Sequence, residues 1–562
     1  VSTPQPEHAS GERATPGSNA FAVAGTRTKD GRAIVANDMH LMLTAPGIWY
    51  RVRLAWPGHD LEGLSLPGVP LIVQGTNGHV AWAFTNLTAD LADLVIVERD
   101  PADRERYLTP EGSEPFERRS VRIGAGAAAE DIELRSTRYG PIVESRSDGT
   151  MLALRWASLR EGGLDCGLFA LADAQTLEEA LDTARRWMGP PQNFLVATQD
   201  GRIGWTIAGA LPDRESRTPG IVSWRDAPMW RGVLDPSAKP TIVDPATGIL
   251  TSANQLSIAP TGPLAAVIGA DEANGDRAHR LAELLGARRD WTEAELHAVQ
   301  LDVYSPRLVR WRDALLAALD QNAMLPPAAV RAREILRTWN GEVTADASAP
   351  VLLDATRGAC RQRFAQALAE TASRSGHPIE VATLAAVIDD EALLRILEEH
   401  PDHLRAGAQA WNTIASEILV AATNASLFPA AEGAEPVFRT RGEVNRAAIR
   451  HPAADALGAA ARIAEMPRTP LPGHPTTVRV QTPSFGASQR SVVSPAHLAD
   501  AILVTPAGQS GLPTSPHFRS LHRPWQDGTA YPLRPGEATA RVLLVAKKPA
   551  AADGKAETTR TQ

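Results

Sequence analysis

The residue types that do chemistry are all present, but their usual spacings are not. Serine nucleophiles on a strand-to-helix turn sit in Gly-x-Ser-x-Gly; Gly508-Gln-Ser-Gly-Leu512 lacks the last glycine. No Walker loop, dinucleotide fingerprint or His-Glu-x-x-His zinc helix occurs. His400 and His403 are close but flank Pro401 at a polar helix end, where surface histidines belong. Cys166 and Cys360 are too few and too far apart for a disulfide scaffold or a cysteine-built zinc site.

Composition narrows the class. The 562 residues are 43% hydrophobic and 22% charged, values of a globular chain and not of a disordered or fibrous one. At roughly 150 residues per domain this is about three or four domains, or one large enzyme core with an insertion. The formal net charge is −8, without the basic excess of a nucleic-acid binder. No apolar run approaches the ~18 residues that suggest a membrane span. Residues 1–17 are polar, rich in Pro, Gly and Ser, carry no signal pattern and start without Met; they read as a spacer remnant within a longer product.

The elements that must position any site follow from periodicity. From Ser18 to about Glu98, short apolar runs broken by Gly and Pro predict closely spaced strands: Ala20–Ala24, Ala33–Val35, Ile48–Trp56, Pro70–Val73, Val80–Phe84 and Leu94–Glu98. Further strands are expected at Ile132–Arg135, Met151–Trp156, Phe194–Thr198 and Ile203–Ile207. The period then changes. Thr292 and Glu295 form a capping-box pattern, and Leu308, Trp311, Leu315 and Leu319 share one helical face. Helices are predicted to start at Pro326–Pro327 and to cover Leu353–Ala369 and Val381–Glu399. Strand-like runs return at Thr477–Gln481, Ser491–Val493 and Ala540–Val545. The division expected is a first core part over 18–290, a mainly helical region over 291–425, a second core part over 426–546 and a disordered tail over 547–562.

Several ordered blocks point to one family. They begin with Gly17-Ser-Asn-Ala-Phe-Ala-Val-Ala-Gly25, Ala36-Asn-Asp-Met-His-Leu41, Ala45-Pro-Gly-Ile-Trp-Tyr50, Leu66-Pro-Gly-Val-Pro70, Gly75-Thr-Asn-Gly78 and Ala81-Trp-Ala-Phe-Thr85. Gln192-Asn193, Pro212-Asp-Arg214, Gly248-Ile-Leu-Thr-Ser-Ala-Asn254, Arg277 to Leu285, Phe485-Gly-Ala-Ser488 and Gly508-Gln-Ser-Gly511 follow. In this order and spacing the chain resembles the β subunit of the penicillin acylase family of N-terminal-nucleophile amidohydrolases. The resemblance implies an α+β fold, a four-layer αββα sandwich. It also implies a precursor that cuts itself into an α and a β chain, the β chain beginning at the nucleophile.

Chemistry explains why such an enzyme needs a terminal serine. A hydroxyl is a poor nucleophile at neutral pH without a base. A free α-amine, with a pKa near ~7.8, supplies one, whereas a peptide nitrogen cannot. The resemblance therefore places cleavage between Gly17 and Ser18 and makes Ser18 the nucleophile. It assigns the oxyanion to the backbone N–H of Asn86 and the side-chain amide of Asn254. His40 takes the position that contacts and orients the nucleophile, and Arg277 that of an arginine supporting Asn254 or substrate.

The remaining expectations also rest on the resemblance. Asp90, the carbonyl of Ala92 and Asp93 match ligands of a structural Ca²⁺, though six to eight oxygens are needed and this loop supplies only part. Leu41, Gln74 and Phe84 match acyl-pocket positions. Leu41 and Gln74 stand where penicillin G acylases carry aromatics, so aliphatic or polar acyl chains fit as well as phenylacetyl. The implied substrate is a small N-acyl amide, penicillin-like or other. The implied partner is an α subunit from the same precursor or an upstream gene, with no nucleic acid and no membrane, and the location periplasmic or secreted. The alternatives are an acyl-homoserine-lactone acylase and a catalytically silent β-chain-like binding protein.

Overall fold

The computed structural model describes residues 17–545 except 70, 127–128, 161, 218–219, 228–229, 260, 270–272, 320–323, 405–409, 430–434 and 436. The spacer remnant up to residue 16 and the tail from 547 lie outside the described residues.

Two sheets face each other. The first is built on β1 (Gly17–Val23) and β2 (Ile34–Met42), paired antiparallel from Gly17↔His40 to Val23↔Ile34. Strand Ile249–Ser252 flanks β1, and strands Phe485–Ala487, Arg490–Val493 and Ile502–Val504 extend the sheet beyond β2. The second, seven-stranded sheet runs from Thr241–Val243 through Ile203–Ala208 and Gln192–Thr198 to β6 (Val80–Asn86), β5 (Gln74–Thr76), β4 (His59–Ser65) and β3 (Tyr50–Trp56).

Alternation along each strand decides what lies between the sheets. Ser18, Ala20 and Ala22 share a face with Met39, Asn37 and Val35. Thr85 meets Ser252 across the gap, hydroxyl to hydroxyl at 2.6 Å, so the odd-numbered positions of β6, Ala81, Ala83 and Thr85, also look into it. Phe21, Val23, Ile34 and Ala36 point the other way, into a core with Leu281, Leu285 and Leu296. Those leucines belong to α2 (Asp276–Gly286) and α3 (Glu293–Gln300). On the far side of the second sheet, α1 (Leu177–Arg186) buries Leu177, Ala180, Leu181 and Ala184. The order helix, sheet, sheet, helix is thus read directly from burial.

Close backbone approach fixes the β4–β5 ladder. Gly63 and Gly75 face each other, and a Cβ on either would meet backbone at 2.2 or 2.1 Å. Only glycine is accommodated there, and the pairing sets Gln74 beside them.

Five further helices, α4 (Pro306–Ala318), α5 (Pro327–Thr338), α6 (Ala349–Arg374), α8 (Asp390–Glu399) and α9 (Trp411–Ser426), contribute to a separate core around Trp311, Phe364 and Leu419, while α7 (Val381–Val387), which buries no residue, lies against α6. A third, six-stranded sheet contains Ala92–Val97.

Several expected elements differ. Val381–Glu399 is two helices, because the Asp389 side chain accepts from Glu391 N and Ala392 N and starts α8 afresh. Thr477–Gln481 is no strand: the Thr477 hydroxyl bonds His474 O and Arg479 O, and only an isolated bridge from Gln481 to Gly486 remains. The strand near Pro70–Val73 lies later, at Gln74–Thr76. Ala540–Val545 pairs with nothing, and Val542 to Val545 stand exposed. Among the described residues no helix is long and apolar enough to cross a membrane.

Candidate active site

Ser18 is the second residue of β1 and is 5% exposed. Its three polar groups each have a partner. The backbone N–H donates to Asn254 Oδ1 at 2.7 Å, Oγ donates to the Gly17 carbonyl at 2.5 Å, and the carbonyl accepts from Arg277 Nη1 at 2.7 Å. Arg277 also gives Nη1 to Asn19 Oδ1 (2.6 Å) and Nη2 to Asn254 Oδ1 (2.9 Å). Two elements bring these together. Arg277 stands in the first turn of α2. Asn254 follows strand Ile249–Ser252 with φ 70°, a left-handed conformation that asparagine tolerates better than other side chains.

The orientation of the Asn254 carboxamide is fixed by its partners. Oδ1 accepts from two donors, and Nδ2 donates to Asn86 O at 2.9 Å. Asn193 Nδ2 reaches the same carbonyl at 3.3 Å, and Asn193 is itself held by Trp205 Nε1. Asn254 and Asn86, both expected at an oxyanion site, are therefore neighbours. In the uncut chain the amide donor rests on the Asn86 carbonyl.

His40 sits on the opposite face of the sheet from the Ser18 side chain, because its cross-strand partner is Gly17. Its Nε2 meets Asp38 Oδ2 at 2.7 Å, and Asn19 Nδ2 donates to the same oxygen at 2.8 Å. Burial pushes the imidazole below its ordinary range, against the pull of Asp38. A neutral ring donating from Nε2 leaves Nδ1 as an acceptor. That atom is 3.7 Å from where a Gly17 Cβ would stand, beside the Gly17–Ser18 peptide. His40 thus addresses the backbone at Gly17–Ser18 and not Oγ, and Asp38, which sequence reasoning did not single out, sets its tautomer. Desolvation also pulls the Arg277 guanidinium down to about 10.

The pocket expectations divide. Leu41 lies on the Ser18 face of β2 and packs into the core that includes the interlayer. Gln74 is buried on β5 and donates Nε2 to Ser491 Oγ at 2.6 Å, across the gap. Phe84 is a correction. Alternation sends Thr85 toward Ser252 and Phe84 outward, where its ring lies 5.2 Å from Phe194 and 6.2 Å from Trp187. Sequence reasoning missed Trp49, whose Nε1 donates to Ser488 Oγ, itself bonded to Met39 O. The indole therefore stands beside the cross-strand partner of Ser18. Its place in the Ala45–Tyr50 block was the available signal.

The acidic loop closes on an arginine. Arg214 gives Nη2 to Asp90 Oδ2 (2.5 Å) and Asp90 O (3.0 Å), Nη1 to Asp93 Oδ1 (3.0 Å) and Nε to Ala266 O (3.1 Å). Trp230 Nε1 takes Asp93 Oδ2 at 2.7 Å. Ala92 opens the strand paired with Trp156. Among the described residues no group of three or more His, Cys, Asp or Glu could hold a metal. Both carboxylates of the loop where the resemblance implies a calcium are thus engaged by the Arg214 guanidinium. Elsewhere, His400 ends α8 and stacks on Trp411; the side chain of His403 lies outside the described residues.

A buried serine near the start of a strand between two helix-flanked sheets fits the N-terminal-nucleophile class of amidohydrolases. The family model for penicillin amidase matches residues 3–541, and the chain belongs to that family. It is 28% identical over 534 residues to the penicillin acylase 2 proenzyme of Pseudomonas sp. strain SE83, covering 92% of this chain and 67% of that one. It is 27% identical over 587 residues to the acyl-homoserine lactone acylase QuiP of Pseudomonas aeruginosa, with the same two coverages. Relatives of that second kind recur in other Pseudomonas species. In fold the chain is similar to a thermostable penicillin G acylase from Alcaligenes faecalis, with TM-score 0.69 at 19% identity, over 94% of this chain and all of that one. The protein is thus an enzyme of the class that hydrolyses N-acyl amide bonds.

Proposed function

We propose that Ser18, freed by cleavage of the Gly17–Ser18 bond, hydrolyses amides of aliphatic carboxylic acids, with N-acyl-homoserine lactones as the leading substrate class. The observation that carries this is the single cluster in which the Ser18 N, Oγ and carbonyl meet Asn254, the Gly17 carbonyl and Arg277. Leu41 and Gln74 in place of aromatics, and the recurrence of lactone acylases among the relatives, support an aliphatic acyl group over phenylacetyl.

Maturation begins with Oγ attacking the Gly17 carbonyl carbon. The hydroxyl proton passes to the Ser18 nitrogen, the C–N bond breaks and an ester forms. Water then releases Gly17 as a carboxylate and restores Oγ–H beside a free amine. In turnover that amine takes the Oγ proton, directly or through water, as Oγ attacks the substrate carbonyl. The negative oxygen is met by the Asn86 N–H and by Asn254 Nδ2, once the latter leaves the Asn86 carbonyl. The proton goes to the departing amine, and water hydrolyses the acyl-enzyme.

Arg277 acts on the base. A guanidinium next to the Ser18 carbonyl disfavours a second positive charge on the α-amine and keeps it unprotonated at neutral pH. A smaller α chain completing the pocket and an exported location, periplasmic or secreted, belong to this reading. The third of the relatives' length outside the match supports the former. Intact mass of the product of the complete reading frame, with hydrolysis of decanoyl-homoserine lactone and phenylacetyl amides, tests it. Retention of residues 1–17 on every molecule of an active preparation would overturn the mechanism. A phenylacetyl preference of tenfold or more (about 1.4 kcal/mol) would overturn the substrate class.

A further inference from the structure

Between the sheets lie two buried side-chain oxygens that have no hydrogen-bond partner among the described residues. Two residue pairs along from Ser18↔Met39, on the same face, lie Ala20 and Asn37. Next across the sheet, Asn37 pairs with Ser491. From the facing sheet Gln74 reaches over and donates Nε2 to Ser491 Oγ, while Ser491 Oγ donates to Asn37 O at 3.3 Å. The Asn37 amide is fixed by two carbonyls that only an NH₂ can serve, Asn19 O at 2.7 Å and Phe84 O at 2.9 Å. Its Oδ1 is therefore an acceptor, and it has no partner. The Gln74 Oε1 has none either. Gln74 is 3% exposed and Asn37 0%.

Two buried carbonyl oxygens without donors are costly unless something arrives to satisfy them. Phenylacetyl or plain alkyl chains bring no donor, and a ketone brings a second acceptor. We propose that Gln74 and Asn37, with Ser491 holding the Gln74 amide in place, form a polar floor of the acyl pocket that selects acyl groups carrying a hydroxyl. The proposal rests on the reading of Ser18 as the acyl-accepting nucleophile and goes beyond it by specifying the acyl chain. A site built to bond a substrate hydroxyl rejects the analogue that lacks it strongly, because its own groups are then left unpaired.

The test uses the product of the complete reading frame and chromogenic anilides of one straight acyl chain. The chain is left plain, or carries a hydroxyl at successive carbons, or the matching ketones. At least one hydroxyl position is expected to exceed the plain chain by roughly tenfold or more in kcat/KM, with the ketone at that position no better than plain. Gln74→Leu is expected to bring the hydroxyl-to-plain ratio below about threefold. Ser491→Ala releases the Gln74 amide to turn its NH₂ inward and moves the preference toward the ketone. Thermal unfolding of each variant reports folding, and if Gln74→Leu fails to fold, Ser491→Ala decides. Turnover of plain chains with no hydroxyl advantage, or an advantage that survives Gln74→Leu, overturns the polar floor and leaves the nucleophile reading standing. No turnover of any anilide by a chain with free Ser18 removes both.

Discussion

Two inward-pointing arginines organise this molecule, and their partners differ in kind. Arg214 meets two carboxylates, Asp90 and Asp93, and its charge is spent in an ion-paired staple between the third sheet and the loop before α2. Arg277 bonds only neutral oxygens, those of Ser18, Asn19 and Asn254. Its charge is left to act on whatever lies beside Ser18, which is why desolvation tells on it so strongly. In the proposed mechanism the same side chain serves stability where its charge is cancelled and chemistry where it is not.

Four substitutions and one treatment separate the two roles. Ser18→Ala should abolish both turnover and cutting, since no second hydroxyl shares the position; intact mass and any amide assay check it. Arg214→Met strands two carboxylates, and loss of one partner of a buried pair costs about 3–5 kcal/mol. Urea unfolding should show that loss while the folded fraction keeps its kcat; an equal loss of kcat would merge the two roles. Asn254→Ala should do the reverse, leaving the fold intact and lowering kcat by about 10²–10³, the usual cost of one oxyanion donor. A variant within threefold of the parent would remove Asn254 from the mechanism.

Arg277→Gln should be felt through pH. The reacting amine must be unprotonated, and the guanidinium holds its pKa below the ordinary ~7.8. Without that charge the acid limb of kcat/KM moves up toward ~7.8, so the deficit should be larger at low pH than at high. A pH-independent deficit would leave Arg277 a purely structural role. Chelation is expected to do least: with Arg214 between Asp90 and Asp93, EDTA should not move the unfolding midpoint. A fall that calcium reverses would show that a cation, and not the guanidinium, bridges them.

The sequence was most legible where a local pattern decides the outcome. Met151–Trp156 is a strand with those bounds, and the Thr292–Glu295 capping box opens α3 as its spacing predicts. The layered α+β sandwich followed from ordered blocks spread over the chain. What depends on register was not readable. Phe84 belongs to the Ala81–Thr85 block, yet one step of alternation turns it from the gap toward Trp187. The Arg214 staple joins residues 121 positions apart, and no local spacing announces it. Asp38, two residues from His40, was quoted within a block but gains its meaning only from a side-chain distance.

Gly17 is the first residue of β1, paired with His40, and the bond to Ser18 is therefore held within a buried sheet. A foreign protease needs an opened, extended stretch of backbone, which such a strand presents only after local unfolding. A hydroxyl one residue away needs none. On the proposed cleavage, release of the new terminus is a unimolecular clock: its half-life belongs to the fold itself, is indifferent to dilution and to protease inhibitors, and starts only when the sheet has formed.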